Sequence, residues 1–314
     1  MSRYGLDNEP DDLRNQAARR PTDSSGNHES LGVRGQGGGG GSDVPEHSAT
    51  GRRQQVETRE VKPPRRTRHS VGRERSYQLR DSEIKTLTDI GAFRALNLND
   101  LVRHRYGGNL ENARRDLKNL ERQGLVHRRT AHPDKTTYVT LTKAAHELLT
   151  SKNFERTNTE QAFYHGFVED REARHDAAIY RLYQQEAIRI EREGGKVQRV
   201  ILDFELKRQV NQKLGKAQSL PANEQAAKKQ EVAQEHHLPM VNGRIALPDL
   251  RLEYEGPDQE AGRVDLELVT GDYHHKSLAQ KAQTGFHMYG LPEDQARLRP
   301  ALADPEIMLD ILSL

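Results

Sequence analysis

Apolar positions recur at helical spacing through the middle of the chain and alternate further on. Ile84, Leu87 and Ile90 follow Asp81, which can cap a helix, and a second short helix is predicted from about Leu98 to His104. RYGGN turns the chain. Asn109 then caps a third helix on which Leu110, Ala113, Leu117 and Leu120 share one side, until Gly124 ends it. Leu125 to Arg129 and Thr137 to Leu141 read as strands joined by AHPDK, and a last helix, in LTKAAHELL, starts after Thr142. Residues 151–168 carry aromatics without a period. A long helix is predicted over 169–193, with Ile179, Leu182, Tyr183 and Ile190 on one side and Gly194-Gly195 at its end. A strand from Lys196 to Lys207 follows, then a Gln, Lys, Ala and Glu-rich insertion at 208–237, helical or mobile. Asn242-Gly243 marks a hairpin turn, PDLRLEYE and VDLELV alternate as strands around the turn GPDQEAG, and a helix is predicted from His275 to about Tyr289.

Composition sets the limits of this pattern. Only 33% of the 314 residues are hydrophobic, 31% are charged and Trp is absent, so part of the chain is expected to stay unpacked. That part is residues 1–75, a Gly- and Arg-rich tail with GQGGGGGSD at its centre and the basic segment RRTRHSVGRER at its end, suited to loose phosphate contacts or to plain solvation. The glycines make no phosphate loop, since no strand precedes them and no Lys-Ser or Lys-Thr follows. Zero Cys removes disulfide scaffolds, cysteine zinc sites and thiol catalysis. No apolar run reaches membrane-spanning length and the amino terminus has no signal-peptide core, which predicts a soluble, cytoplasmic protein without membrane partners.

The net charge of +2 hides a polarity along the chain: eight Arg or Lys against three acids over 101–130, but six against twelve over 251–314. The third helix spends its apolar side on the core, which predicts Arg114, Arg115, Lys118, Asn119 and Arg122 facing outward as a cationic ridge. Such a helix fits the major groove, where Arg pairs with guanine and Asn with adenine while Lys and outer Arg neutralise phosphates. The hairpin after it carries Arg128, Arg129, His132 and Lys135, within reach of an adjacent backbone or minor groove. ARRDLKNLERQGLVHRR followed by YVTLTKAAHELL resembles the winged helix-turn-helix of bacterial transcription regulators of the multiple-antibiotic-resistance type, over about 70 residues by analogy of element order.

The second half is acidic where the first is basic. Between the strands around GPDQEAG, the simplest register pairs Glu255 with Arg263, Glu253 with Asp265, Arg251 with Glu267 and Asp249 with Val269. Glu253 and Asp265 would then repel unless a cation sat between them, whereas Arg251 opposite Glu267 would make an ordinary salt bridge. RHDAAIYRL, ILDFELK, PDLRLEYE and VDLELVTGDYHHKSLAQKAQTGFHMY, in this order behind a winged helix, resemble the PD-(D/E)xK nuclease fold and, more closely, the replication-relaxation family of mobile-element proteins. The resemblance implies catalytic Asp249 and Glu267, a metal site of Asp249, Asp265 and Glu267 that takes Mg²⁺ if active, and a Lys two places after Glu267. Val269 stands there, so the module is expected to be inactive unless Lys276 or Lys281 reaches in from the next helix. Asp203, Glu205 and Lys207 spell DxExK but precede the Pro-Asp strand, and are read as a salt-bridged edge strand. The pairs His236-His237 and His274-His275, with His175 and His287, do not read as a zinc site.

The expected fold is α+β: a disordered tail over 1–75, a winged helix-turn-helix domain over 76–150, and over 151–314 a small α/β nuclease-like domain of helix, three-stranded sheet and helix. The expected function is duplex DNA binding in a bacterial mobile element or plasmid, in replication, mobilisation or its regulation, with no cofactor needed for binding and a replication or mobilisation protein as further partner. The alternatives are a metal-dependent DNA endonuclease using Asp249 and Glu267, and a ligand-responsive repressor, which would be a homodimer on a palindromic site.

Overall fold

In a computed structural model, the structure describes residues 65–71, 75–132, 135–151, 161–167, 169–215, 217–271, 273, 275–294, 297–298 and 311–313. The tail before residue 65, with its glycine run, lies outside the described residues. The rest of the expected tail does not: Thr67–Val71 (β1) and Arg75–Leu79 (β2) pair as an antiparallel hairpin whose Tyr77 and Leu79 are buried.

Helix α1 (Asp81–Ala92) starts one residue earlier than a cap at Asp81 would allow, with Arg80 in the capping position and its N–H held 2.8 Å from Glu83 Oε2. Strand β3 (Ala95–Asn97) and α2 (Leu98–Arg105) follow, the helix capped by Asn97 Oδ1 accepting from Asn99 N at 2.8 Å. Helix α3 (Leu110–Arg122) is capped as predicted, Asn109 Oδ1 accepting from Asn112 N at 2.9 Å. Ala113, Leu117 and Leu120 are buried, but Leu110, in its first turn, is 42% exposed. Strands β4 (Val126–Thr130) and β5 (Thr137–Leu141) form a three-stranded sheet in the order β3-β5-β4, and Thr142 caps α4 (Lys143–Leu149).

Helix α5 (Asp170–Arg192) buries Ile179, Leu182 and Ile190 as its period predicted. Strand β6 (Lys196–Leu202) ends sooner than expected, and Asp203–Leu214 is a helix, α6, where Leu206 and Val210 continue the buried line one and two turns on. Asp203, Glu205 and Lys207 are thus in the first two turns of a helix and not on an edge strand. The rest of the 208–237 insertion is ordered as α7 (Ala222–Glu235), which packs Val232 against Val210 and Leu238. Strands β7 (Met240–Val241) and β8 (Arg244–Ile245) meet at Asn242-Gly243, both with positive φ, 52° and 74°, as a two-residue hairpin of the primed type requires.

The second sheet has five strands, not three. Its order is β12-β11-β10-β9-β6, with β9 (Leu250–Glu255), β10 (Ala261–Val269), β11 (His287–Gly290) and β12 (Ile311–Ser313). Strands β6, β9 and β10 are antiparallel neighbours, whereas β10, β11 and β12 run parallel. A parallel neighbour needs a crossover, and α8 (His275–Ala282) supplies it. The helix expected to reach Tyr289 therefore stops short, and Gly285, at φ 75°, opens the turn into β11.

Residues 61–314 form one compact unit, so the stretches 76–150 and 151–314 share a core. Leu79, Ile90 and Leu96 belong to the same buried cluster as Tyr180, Leu182, Leu250 and Leu266. At the join, Phe93 meets the fully buried Tyr180 edge to face at 5.1 Å, and Arg94 holds Asp176 with two bonds of 2.8 and 3.0 Å.

Candidate functional site

The inner face of α3 is deeper than its apolar residues alone suggested. Asp116 is 1% exposed and held by Arg80 Nη1 at 3.1 Å and Ser82 Oγ at 2.7 Å. Asn119, expected to face DNA, is 5% exposed: its Nδ2 donates to Glu83 Oε1 at 3.0 Å and Gln78 O at 3.2 Å. It is a structural clamp, since a buried amide with its donors engaged has none for a base edge. Arg114, Arg115, Lys118 and Arg122 are exposed as predicted. Among the described residues Arg114 and Lys118 make no ion pair. Arg115 Nε lies 3.5 Å from Asp116, and Arg122 Nη2 donates to Asn119 Oδ1 at 2.9 Å.

The β4–β5 hairpin differs from expectation. Arg128 grips Glu121, with Nη2 to Oε2 at 2.7 Å, and Arg129 pairs with Asp170 and lies over the Phe167 ring at 4.9 Å. Both charges are already met by acids of the same chain. Lys135 and His132 stay exposed.

The acidic strands pair two residues out of the expected register. Arg251 stands opposite Asp265 and Glu253 opposite Arg263. A shift of two keeps every side chain on its face, so alternation alone does not distinguish the registers. Arg251, 4% exposed, binds both oxygens of Asp265, Nε to Oδ1 at 2.6 Å and Nη2 to Oδ2 at 2.8 Å, and donates Nη1 to His236 O at 2.7 Å. Asp265 is therefore a salt-bridge partner and not a metal ligand, and the repulsion expected between Glu253 and Asp265 does not arise.

The same shift carries Asp249, the residue before β9, to the level of Glu267 on β10. Asp249 Oδ2 accepts from Leu268 N at 2.8 Å, and His175 Nε2 of α5 stands 3.9 Å from its Oδ1. Glu267 is 1% exposed. Its Oε1 accepts from Tyr273 Oη at 2.7 Å and pairs with Lys281 Nζ at 2.7 Å, while its Oε2 is buried without a partner. Burial raises both carboxyls above their ordinary range, Glu267 to about 7, and the Asp249 charge pushes Glu267 further in the same direction. His175 is raised chiefly by its bond to Asp176, so it is disposed to carry positive charge beside Asp249.

Val269, where an amine was sought, is fully buried with Leu278 and Met288. Lys281 comes instead from α8, one turn after Leu278, and also reaches Leu247 O at 3.4 Å. Lys276 has its side chain outside the described residues. Sequence reasoning missed the parts of His175 and Tyr273; the adjacent polar pair His175-Asp176 in an otherwise amphipathic helix was the available signal. Glu205, in the DxExK decoy, is buried by Arg199 at 2.6 Å and Tyr164 Oη at 2.8 Å.

Among the described residues no group of three or more His, Cys, Asp or Glu is placed to hold a metal ion. A buried carboxylate with one orphaned oxygen, Glu267, beside the partly buried Asp249 still fits a hard divalent cation of the Mg²⁺ type, which takes one or two carboxylates and completes its shell with water and phosphate. No helix among the described residues is long and apolar enough to cross a membrane. Comparison with family models, curated proteins and solved structures returns no match.

Proposed function

We propose that the protein binds duplex DNA through α3, in a winged helix-turn-helix formed by α1 to α4. What carries the reading is the exposed row Arg114, Lys118 and Arg122 on a helix whose other face is buried. The order α1, β3, α2, α3, β4, β5, α4 supports it, because in that arrangement α3 is the helix presented to the major groove. The setting implied by the resemblance to replication-relaxation proteins is replication or mobilisation of a plasmid or other mobile element. Fluorescence anisotropy on a labelled duplex tests the reading: the pair Arg114→Ala and Lys118→Ala should weaken binding at least tenfold, and unchanged affinity would refute it.

A second reading, endonuclease activity, is favoured by one observation, the orphaned Glu267 Oε2 beside Asp249. Asp249 and Glu267 would hold a divalent cation there, which when bound neutralises developing charge and acidifies water. Lys281, already bonded to Glu267, would supply the amine that Val269 cannot, and Tyr273 would fix the Glu267 carboxylate. Plasmid nicking in Mn²⁺ that disappears in Glu267→Gln supports this reading. No nicking in Mn²⁺ or Mg²⁺ removes it and leaves DNA binding as the whole function.

A further inference from the structure

The β1–β2 hairpin is fixed more firmly than a strand pair ahead of a helix requires. Glu83, fully buried, accepts Arg66 Nη2 at 2.9 Å, the Arg80 N–H at 2.8 Å and Asn119 Nδ2 at 3.0 Å, so one carboxylate joins the hairpin, α1 and α3. The backbone of Gln78 in β2 is met from α3 and its cap: Gln78 N donates to Gln123 Oε1 at 2.8 Å, and Gln78 O accepts from Gln123 Nε2 at 3.0 Å and from Asn119 Nδ2. The outer edge of β2 is thus stitched to the carboxyl-terminal half of the helix that carries the cations.

Alternation then decides which residues face out. Tyr77 and Leu79 point into the core, so Ser76 and Gln78 point away from it, together with their cross-strand partners Ser70 and Arg68. All four are exposed. A continuous path leads from the helix to this face: Arg122 bonds Asn119, Asn119 bonds Gln78, and Gln78 stands opposite Arg68. Arg65 and Arg68 are exposed and, among the described residues, have no acidic partner, whereas Arg128 and Arg129 of the β4–β5 hairpin are each bound to a carboxylate.

We infer that the β1–β2 hairpin is a second phosphate-binding arm that extends the α3 surface along the DNA backbone, and that the β4–β5 arginines do not serve as one. This rests on the reading of α3 as the DNA-binding helix. The arm contacts backbone and not bases: Arg68, with the exposed Ser76 on the same face, offers charge and a hydroxyl donor, which fix register without reading sequence.

The test is a salt titration of duplex affinity by anisotropy on the full chain. Arg65→Ala with Arg68→Ala, Arg128→Ala with Arg129→Ala, and Arg114→Ala with Lys118→Ala are compared with wild type. Each lost phosphate contact lowers the slope of log affinity against log salt by about 0.9, so the β1–β2 pair should lower it by about 2. The β4–β5 pair should leave it within one contact of wild type. If the β1–β2 pair keeps the wild-type slope while the α3 pair loses it, the arm is refuted and DNA binding through α3 stands. If the β4–β5 pair loses as much as the β1–β2 pair, the choice of arm is refuted. If the α3 pair also behaves as wild type, the reading beneath both falls. All altered side chains are at least partly exposed, and thermal melts confirm that each variant is folded.

Discussion

Replacing Glu267 by Gln should stabilise the protein at alkaline pH relative to wild type, although it removes an ion pair. Two effects compete at this carboxyl. Lys281, at 2.7 Å, and the Tyr273 hydroxyl favour the charged form, while burial and the neighbouring Asp249 charge favour the protonated one. Burial wins, and the group is held at about 7 against an ordinary 4.5. Its proton is therefore bound more tightly in the folded state than in the unfolded chain. The stability this confers is fully present below the ordinary value and is lost as pH rises through about 7. At about 1.4 kcal/mol per tenfold in proton affinity the loss amounts to about 3 kcal/mol, with no large discount for solvent because the side chain is 1% exposed. Gln does not titrate, so its advantage over wild type should grow by about this amount between about pH 4 and about pH 8. Urea unfolding of both proteins across that range measures the difference for the Glu267 site together with Asp249, whose titration it influences, while groups remote from the pair cancel. A difference that is flat, or that turns against Gln as pH rises, would mean that Lys281 holds the carboxylate charged and that the buried-acid argument is wrong.

Arg251→Ala should cost about 3–5 kcal/mol, since it strands the Asp265 carboxylate and the His236 carbonyl in a largely buried place; a denaturant midpoint near that of wild type would contradict the register. Asn119→Ala should lower stability by about 1–3 kcal/mol through the loss of its two donated bonds, to Glu83 and to the Gln78 carbonyl. Its duplex affinity, measured where the variant is fully folded, should stay within about twofold of wild type, whereas a base-reading Asn lost there would change affinity by tenfold or more. Adding Mn²⁺ at alkaline pH should raise the melting temperature of wild type and leave that of Glu267→Gln unchanged if the acidic pair binds a cation; equal shifts would place the ion elsewhere.

The helices were legible because their signals are local. Asn109 and Thr142 cap, Gly124 terminates, and Ile179, Leu182 and Ile190 repeat with the period of the buried face. What depends on distant partners was not. The register of β9 and β10 escaped because a slip of two leaves every residue on its own face, and it is long-range contacts such as the Arg251–Asp265 pairing, with Arg251 also bonded to His236 at the end of α7, and the Asp249–Leu268 bond that distinguish the two. ILDFELK alternates like a strand, yet Leu202, Leu206 and Val210 also repeat every four residues: Leu202 is buried at the end of β6, in the capping position of α6, and the helix buries Leu206 and Val210. Strand β1 was hidden in an Arg-rich segment whose anchor, Glu83, lies seventeen residues beyond Arg66. The cationic outer face of α3 was readable from charge and period, but the depth of Asn119 was not, since polarity in a sequence does not reveal what another element will bring to meet it.

The most direct test of the account is the salt dependence of duplex affinity for the wild-type chain. With Arg65, Arg68, Arg114, Lys118 and Arg122 on phosphates, log affinity should fall linearly with log salt at a slope on the order of −5. A slope near zero, or no duplex binding at low salt, would contradict it.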